Sequence, residues 1–229
     1  MIFQVIIGST LLCKVLEYLS PDDYKPTTSY KTLLMMFILL FSSFLFLYLL
    51  QSNIGLYFYW RSLFFLDNDI GTVAQVSIAF VINALVLYVI HIAMHKFKWL
   101  WWIHKSHHSI QSISMLMGFL ANPLEPIANS MGIMLVDYGL LGINPQCVML
   151  TSYLINFLVI FLHSNIKTPH WLGYFIQRPE MHKLHHTYQH HQDNYTYLPW
   201  IDMLFGTYQN KRPKVYTFGL QLRKSRSLN

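Results

Sequence analysis

The sequence predicts an all-α protein: an integral-membrane helical bundle of about four to five transmembrane helices with a histidine-rich helical cap on the cytoplasmic side. Three observations support this prediction. Of the 229 residues, 54% are hydrophobic and only 11% are charged, which is too apolar for a soluble domain of this size. The apolar residues gather in long stretches. Nearly all of the 12 histidines stand in the polar segments beside those stretches.

The first half of the chain contains three apolar stretches. Residues 1–19 lack the basic start and the small-residue cleavage site of a removable signal peptide, so we expect a membrane or interfacial helix there. Residues 32–50 and 71–90 each run for about 20 residues without Asp, Glu, Lys or Arg, the length that an α-helix needs to cross a bilayer. The sequence therefore predicts helices at about 1–19, 32–50 and 72–91.

A fourth apolar region, residues 132–162, is long enough for a helical hairpin and contains Asp137 as its only formal charge. The sequence GINPQ at 142–146 supplies the turn, because Gly, Asn and Pro interrupt helices. We predict the two helices at about 130–142 and 146–163. A lone carboxylate in a span is either a substrate contact or a group near the outer boundary of the membrane.

The net charge of +6 favours one orientation of these spans. If they cross in succession, the outward loops 51–71 and 142–146 hold only Arg61, and the other Lys and Arg residues lie at or near the cytoplasmic face, as the positive-inside rule expects. Nucleic-acid binding is the rival explanation, but the charges are scattered and accompany membrane spans. We expect the basic tail to contact anionic lipid headgroups through Lys211, Arg212, Lys214, Arg223, Lys224 and Arg226.

Nine histidines form four groups. Residues three and four apart lie on one face of a helix, so each multiple group can aim its imidazoles at one point. The groups are His91 with His95; His104 with His107 and His108; His163 alone at the end of a span; and His182 with His185 and His186. The three histidines outside this pattern are interpreted as surface or hydrogen-bonded core residues: His170, His190 and His191.

Neutral imidazole is a good ligand for iron, zinc, copper and nickel. Nine imidazoles are too many for one ion, so the sequence predicts a site for two. A zinc hydrolase usually adds a Glu base, as in HExxH, and no Glu stands inside these groups. A membrane metal-binding or transport protein is the main alternative, although transport sites lie near the bilayer midplane, whereas these groups begin where the spans end.

The order of the groups resembles the fatty acid hydroxylase, or sterol desaturase, superfamily. The matching segments are HIAMH (91–95), HKSHH (104–108), FLHSN (161–165), RPEMHKLHH (178–186) and NYTYLPWIDMLFGTY (194–208). The resemblance divides a single membrane domain, residues 1–229, into N-terminal transmembrane helices (1–84), a catalytic region (85–210) and a basic tail (211–229). Acyl-lipid desaturases share the HxxHH groups but lack the closing LFGTY, so the hydroxylase side of the superfamily is favoured.

The resemblance implies a non-haem di-iron enzyme that uses O2 and two electrons to hydroxylate or desaturate a lipid such as a sterol, a fatty acyl chain or a sphingoid base. It implies two iron ions per chain, with zinc as a substitute in purified protein, and the nine grouped histidines as their ligands. The chain has no Rossmann or haem-attachment motif, so the electron donor is expected to be a separate cytochrome b5-like or ferredoxin-like protein. The location implied is the endoplasmic reticulum in a eukaryote or the inner membrane in a bacterium.

Four polar residues are predicted to support the ligands, because metal-bound histidines usually donate their other N–H to a carboxylate or carbonyl. They are Asp202, Asn194, Asp193 and Glu180.

The chain also departs from the family pattern. Many members carry Arg-Phe-His-Pro-x-Glu where this chain has LANPLE at 120–125, so Leu120 and Asn122 replace Arg and His. Thr196 stands where Gly is usual, and Met203 where Arg is usual. These departures are consistent with an altered substrate channel or a reduced activity, and they keep a catalytically inactive family member as the second alternative.

Overall fold

The computed structural model describes residues 2–22, 38, 45, 49, 51–110, 113–115, 121–188, 190–214 and 217–220. Within these ranges the chain is helical, with isolated β-bridges at Pro21–Ile166 and Thr187–Phe218 and no strand. The all-α prediction is confirmed for this part of the chain. The predicted helix at 32–50 lies almost wholly outside the described residues.

The described residues form nine α-helices, two π-helices and one 3-10 helix. The α-helices are α1 (Ile2–Leu19), α2 (Leu56–Tyr59), α3 (Leu66–Asp69), α4 (Thr72–Lys96), α5 (Lys98–His108), α6 (Leu124–Met134), α7 (Pro145–Leu162), α8 (Pro179–His185) and α9 (Pro199–Leu204). Two π-helices (Gln51–Gly55 and Leu135–Leu140) and one 3-10 helix (His170–Tyr174) complete the set.

Helices α4 and α7 form the apolar centre of the molecule. Among the described residues these two are long and apolar enough to cross a membrane, with 25 and 18 residues. They pack together through Ala84, Ile155 and Leu158, while Val81 and Val89 of α4 are exposed, as suits lipid-facing positions. Both helices were predicted, but α4 continues to Lys96, which places the whole HIAMH group on one helix.

The first helix of the predicted membrane hairpin leads to the predicted turn but begins earlier than the sequence predicted. Helix α6 begins at Leu124 and continues as the π-helix to Leu140, whereas the sequence predicted a start near residue 130. Asn122 starts the helix early, because its side-chain oxygen accepts from Leu124 N at 3.0 Å and its carbonyl accepts from Glu125 N at 2.9 Å. Pro126 is tolerated because a first-turn N–H has no partner within the helix.

Two further findings concern the predicted outer loop and the charge within the hairpin. The predicted outer loop 51–71 is not simply a loop, since it contains a π-helix and two short α-helices. Asp137 lies in the second π-helix, fully buried, where its carboxylate accepts a hydrogen bond of 2.8 Å from Asn83 Nδ2 of α4. This contact ties α6 and its π-helical extension to the central span.

Gly142 makes the hairpin turn possible. Its φ of +59° favours glycine, and a Cβ there would collide with the Phe64 carbonyl oxygen and lie 2.6 Å from Ser62 Oγ. We expect Gly142→Ala to lower the free energy of unfolding by about 1–3 kcal/mol, measured as a lower thermal midpoint in detergent. Gly71→Ala is the matched control, because no atom lies within 4 Å of a Cβ at Gly71. Equal midpoints for the two variants would contradict this role for the turn.

The histidine-rich segments gather at one end of α4. Only Phe97 separates α4 from α5. Helix α4 packs against α5, α6, α7 and α9, and α8 packs against α7. The fold therefore brings histidines distant in sequence to one place.

Candidate metal centre

All nine histidines that were predicted as ligands lie together, in two clusters. Within each cluster the candidate ligand nitrogens, one from each ring, are within 4.8 Å of one another. The first cluster consists of His91, His95, His104, His108 and His185. The second cluster consists of His107, His163, His182 and His186.

The two HxxHH groups divide their histidines between the clusters in the same way. In α5, His104 and His108 enter the first cluster, and His107, three residues after His104, enters the second. In α8 the roles are exchanged, because His182 and His186 enter the second cluster and His185 enters the first. Each group thus gives its i and i+4 imidazoles to one cluster and its i+3 imidazole to the other, which couples the two clusters through two helices.

The Nε2 atoms face one another inside each cluster. In the first cluster, His104 Nε2 lies 3.0 Å from both His91 Nε2 and His108 Nε2. In the second cluster the Nε2 atoms of His186 and His182 are 3.1 Å apart, those of His182 and His163 are 2.9 Å apart, and those of His163 and His107 are 3.4 Å apart. Two nitrogens bound to one ion at about 2.1 Å and at right angles lie roughly 3.0 Å apart, so these separations suit shared ions.

Three backbone carbonyls determine where the protons are. The Nδ1–H groups of His91, His163 and His185 donate to the carbonyl oxygens of Tyr195, Val159 and Asp193, at 2.7 Å, 2.8 Å and 2.7 Å. A carbonyl oxygen can only accept, so in the neutral ring Nδ1 carries the proton and Nε2 keeps its lone pair. All three lone pairs are therefore available to a metal ion.

Two buried Nε2 atoms of the first cluster also fit a metal site. The Nε2 atoms of His95 and His185 are buried and have no hydrogen-bond partner among the described residues. Buried polar atoms are normally satisfied by a partner. Two unsatisfied lone-pair atoms within a cluster of imidazoles are the arrangement that a bound cation completes, and nitrogen donors of this kind suit iron or zinc.

Burial keeps these imidazoles in the form that binds metal. It lowers the pKa of five histidines outside the candidate spans well below the usual range, and the neighbouring imidazoles lower it further: His107, His108, His182, His185 and His186. The neutral ring is the ligand form, so the clusters are ready to bind at pH 7.

These lowered pKa values predict acid sensitivity. Below pH 6.5, the usual histidine pKa, the unfolded chain takes up protons that the folded chain excludes, so the free energy of unfolding falls by about 1.4 kcal/mol per pH unit for each such histidine. The free energy of unfolding should be highest above pH 6.5 and should fall as the pH is lowered below it. Thermal unfolding of the metal-free protein in detergent at pH 8, 6.5 and 5 measures this. A midpoint that stays level or rises towards pH 5 would disprove the neutral clusters.

Two side chains beside the clusters were missed by sequence reasoning. Glu125 Oε2 lies 3.0 Å from His104 Nδ1, and the Glu125 side chain is 12% exposed. The sequence did contain an indication of a role for Glu125, because it is the final Glu of LANPLE and that Glu belongs to the family pattern. His191 Nδ1 lies 2.9 Å from His108 Nδ1, although its spacing gave no sign of a role at the site.

The family comparison bears directly on this geometry. A sequence model of the fatty acid hydroxylase family matches residues 76–207, which are 132 of the chain's 229 residues and include all nine histidines of the clusters. The chain belongs to the fatty acid hydroxylase family. The resemblance found in the sequence is thereby confirmed. No curated protein and no solved structure gives a significant match.

In this fatty acid hydroxylase family member, the four predicted supporting residues lie at different distances from the ligands. Asp193 contacts His185 through its backbone carbonyl. Asp202 supports His91 indirectly. Its Oδ1 accepts a hydrogen bond of 2.8 Å from Tyr195 N, and the carbonyl oxygen of Tyr195 accepts from His91 Nδ1–H.

The other two supporting residues fasten the segments that carry the ligands. Asn194 Nδ2 donates to the Met181 carbonyl of α8 at 3.2 Å. Glu180 accepts from the backbone N–H and the hydroxyl of Thr168, at 2.8 Å and 2.7 Å. Their hydrogen bonds thus hold α8 rather than an imidazole.

The departures from the family pattern leave the clusters intact. Asn122 starts α6, which carries Glu125. The buried Thr196 hydroxyl donates to the Ala84 carbonyl of α4 at 3.0 Å. Met203 faces outward from α9 and is 39% exposed, whereas its neighbour Asp202 is buried. Leu120 lies outside the described residues.

A cavity of about 160 Å³ lies against both clusters. Its apolar wall includes Leu87, Val159 and Leu162 of the two central helices. Its polar wall includes five cluster histidines together with Glu125, Asn129 and Gln177: His91, His104, His107, His163 and His182. The cavity therefore combines apolar side chains of the two central helices with imidazoles of both clusters.

Proposed function

We propose that the protein is an O2-dependent, membrane-bound non-haem di-iron oxidoreductase that hydroxylates or desaturates a lipid. The convergence of nine imidazoles into two clusters beside one partly apolar cavity carries this proposal. The family match supports it, because family members are lipid-oxidising oxidoreductases. Two iron ions, when bound, would supply the chemistry that oxidises an unactivated C–H bond with O2.

The residues of the chain have three tasks in this reaction. The histidines hold the metal ions, with the Tyr195, Val159 and Asp193 carbonyls fixing three of the rings. Leu87, Val159 and Leu162 hold the hydrocarbon and exclude water from it. Glu125 places a carboxylate beside Nδ1 of His104. For hydroxylation, one C–H bond, one O2, two electrons and two protons yield one alcohol and one water.

The membrane arrangement belongs to the same proposal. Four to five spans cross the bilayer, and the histidine-rich cap lies on the cytoplasmic side, in the endoplasmic reticulum or a bacterial inner membrane. The concentration of basic residues in the segments beside the cap supports this orientation. A cytochrome b5-like or ferredoxin-like donor supplies the electrons from outside the bilayer, and the lipid enters from within it.

Isotopically labelled O2 tests this proposal by showing whether oxygen is consumed and whether a lipid is oxidised. The purified protein in lipid nanodiscs, loaded with Fe(II) without oxygen, receives a reductant, a membrane lipid extract and isotopically labelled O2. We expect reductant-dependent O2 uptake and either one labelled oxygen in a lipid product or a product with two fewer hydrogens. His163→Ala is the matched blank, because it removes one ligand of the second cluster. O2 uptake and lipid products equal to those of the blank would refute the proposal.

A further inference from the structure

Lys183 lies between two cluster histidines on α8, and its side chain is fully buried. Its Nζ is 2.7 Å from Asp22 Oδ2 and 2.7 Å from Asn165 Oδ1, and the Asp22 side chain is also fully buried. Arg212, with a side chain 34% exposed, forms a second ion pair with Asp22. Removing one partner of a buried ion pair leaves an uncompensated charge, so α8 is fixed to Asp22 much more firmly than by a surface contact.

The segment before Asp22 is fastened to the loop that follows His163. Asn165 N donates to Glu17 Oε1 at 2.8 Å, and Asp22 N donates to the Asn165 carbonyl at 3.0 Å. Ser20 exchanges two hydrogen bonds of 2.9 Å with Lys167. Residues 17–22 therefore hold this loop and α8 in one arrangement.

The two segments held in this way carry most of the second cluster. His163 immediately precedes the loop, and His182 and His186 belong to α8 and its C-terminal end, which leaves only His107 on another helix. Of the five histidines in the first cluster, only His185 belongs to α8, and the Asp193 carbonyl holds it independently. A substitution of Asp22 should thus displace the ligands of the second cluster more than those of the first.

We infer that Asp22, Lys183 and Arg212 form a clamp that positions the second cluster to bind its metal ion. Asp22 and Arg212 are positioning residues that lie outside the stretch matched by the family, residues 76–207. The clamp is thus a contribution of this chain's two terminal regions to the site. The inference rests on the proposed metal-binding function of the clusters.

Metal titration tests the clamp without any turnover. The purified protein in detergent is loaded with Co(II), and the cobalt bound per chain and its visible absorption are recorded. His95→Ala and His163→Ala serve as references that lack one ligand of the first and the second cluster. We expect Asp22→Asn to bind cobalt at the second cluster at least about tenfold more weakly and to resemble His163→Ala in its spectrum. Asp22→Glu, which keeps the charge, should recover part of the affinity.

Lys211→Gln is the control, because Lys211 is exposed and next to Arg212. If Asp22→Asn binds cobalt at both clusters as the wild type does, or weakens the first cluster equally, the clamp is wrong. If Asp22→Asn does not fold, Arg212→Gln decides, since it leaves the Lys183–Asp22 pair in place. It should weaken the second cluster alone, and unchanged affinity would overturn the inference. A wild type that binds no metal would instead refute the proposed function.

Discussion

Replacing His107 with alanine is expected to empty the second cluster of metal and abolish lipid oxidation, while the membrane-inserted fold persists. His107 is 5% exposed, and its Nε2 lies 3.4 Å from His163 Nε2. The variant removes a ligand outright, so its loss of activity should exceed the about 10–100-fold loss caused by removing an outer partner of a ligand. The fold should persist because His107 comes from α5, while the apolar contacts that join α4 and α7 are untouched.

Three measurements on His107→Ala separate a lost ligand from a lost fold. Metal analysis should show one ion fewer per chain, O2 uptake with reductant and lipid should vanish, and circular dichroism should remain helical. Lys105→Ala is the matched control, since Lys105 is an exposed residue of the same helix. Full turnover by His107→Ala would show that the second cluster does not serve the reaction.

Replacing Glu125 with alanine is expected to weaken metal binding at the first cluster by about 10–100-fold. Glu125 Oε2 is 3.0 Å from His104 Nδ1, and His104 Nε2 is the atom that approaches both His91 and His108. Without the carboxylate, the ring loses the negative charge that lies beside its Nδ1 and increases the basicity of its Nε2. The second cluster, which does not include His104, should keep its affinity.

A cobalt titration of Glu125→Ala resolves the two clusters, with Glu125→Gln as the conservative variant that retains an acceptor oxygen. The glutamine variant should recover part of the affinity. Leu124→Ala is the control, because Leu124 is adjacent and 48% exposed. Wild-type affinity at the first cluster of Glu125→Ala would mean that His104 does not need this partner.

The sequence alone was sufficient to group the nine histidines, and the reason is helical spacing. An HxxHH group on a helix places its rings on one side, so a shared site followed from the pattern. The division of each group was not predictable, because it depends on how α5 and α8 lie relative to each other. The structure shows that the i+3 ring of each group, His107 or His185, belongs to the other cluster.

The partners of the histidines were harder to predict for a different physical reason. Three of them are backbone carbonyls, at Tyr195, Val159 and Asp193, and every residue type has a carbonyl. Asp193 was named for its carboxylate, but it is the carbonyl that contacts His185, and its backbone has a left-handed φ of 66°. The contact between the Asp193 carbonyl and His185 depends on the backbone conformation of this loop, which the residue types do not specify.

Long-range packing accounts for the other differences. Lys183 stands between two cluster histidines, and its partner Asp22 lies 161 positions away in the chain. Arg212 was expected to contact lipid headgroups with the rest of the basic tail, but it is paired with Asp22. No periodicity in the sequence links these residues, because the contact depends on Asp22 and Arg212 both lying against α8 in the folded chain.

The metal content of the folded wild-type protein is the most informative single measurement. After loading with Fe(II) and removal of unbound metal, elemental analysis of a monodisperse sample should give two iron ions per chain, and His95→Ala and His163→Ala should each lose one. A wild-type protein that holds one exchangeable zinc ion, binds no iron and consumes no O2 with reductant would contradict the proposed di-iron site.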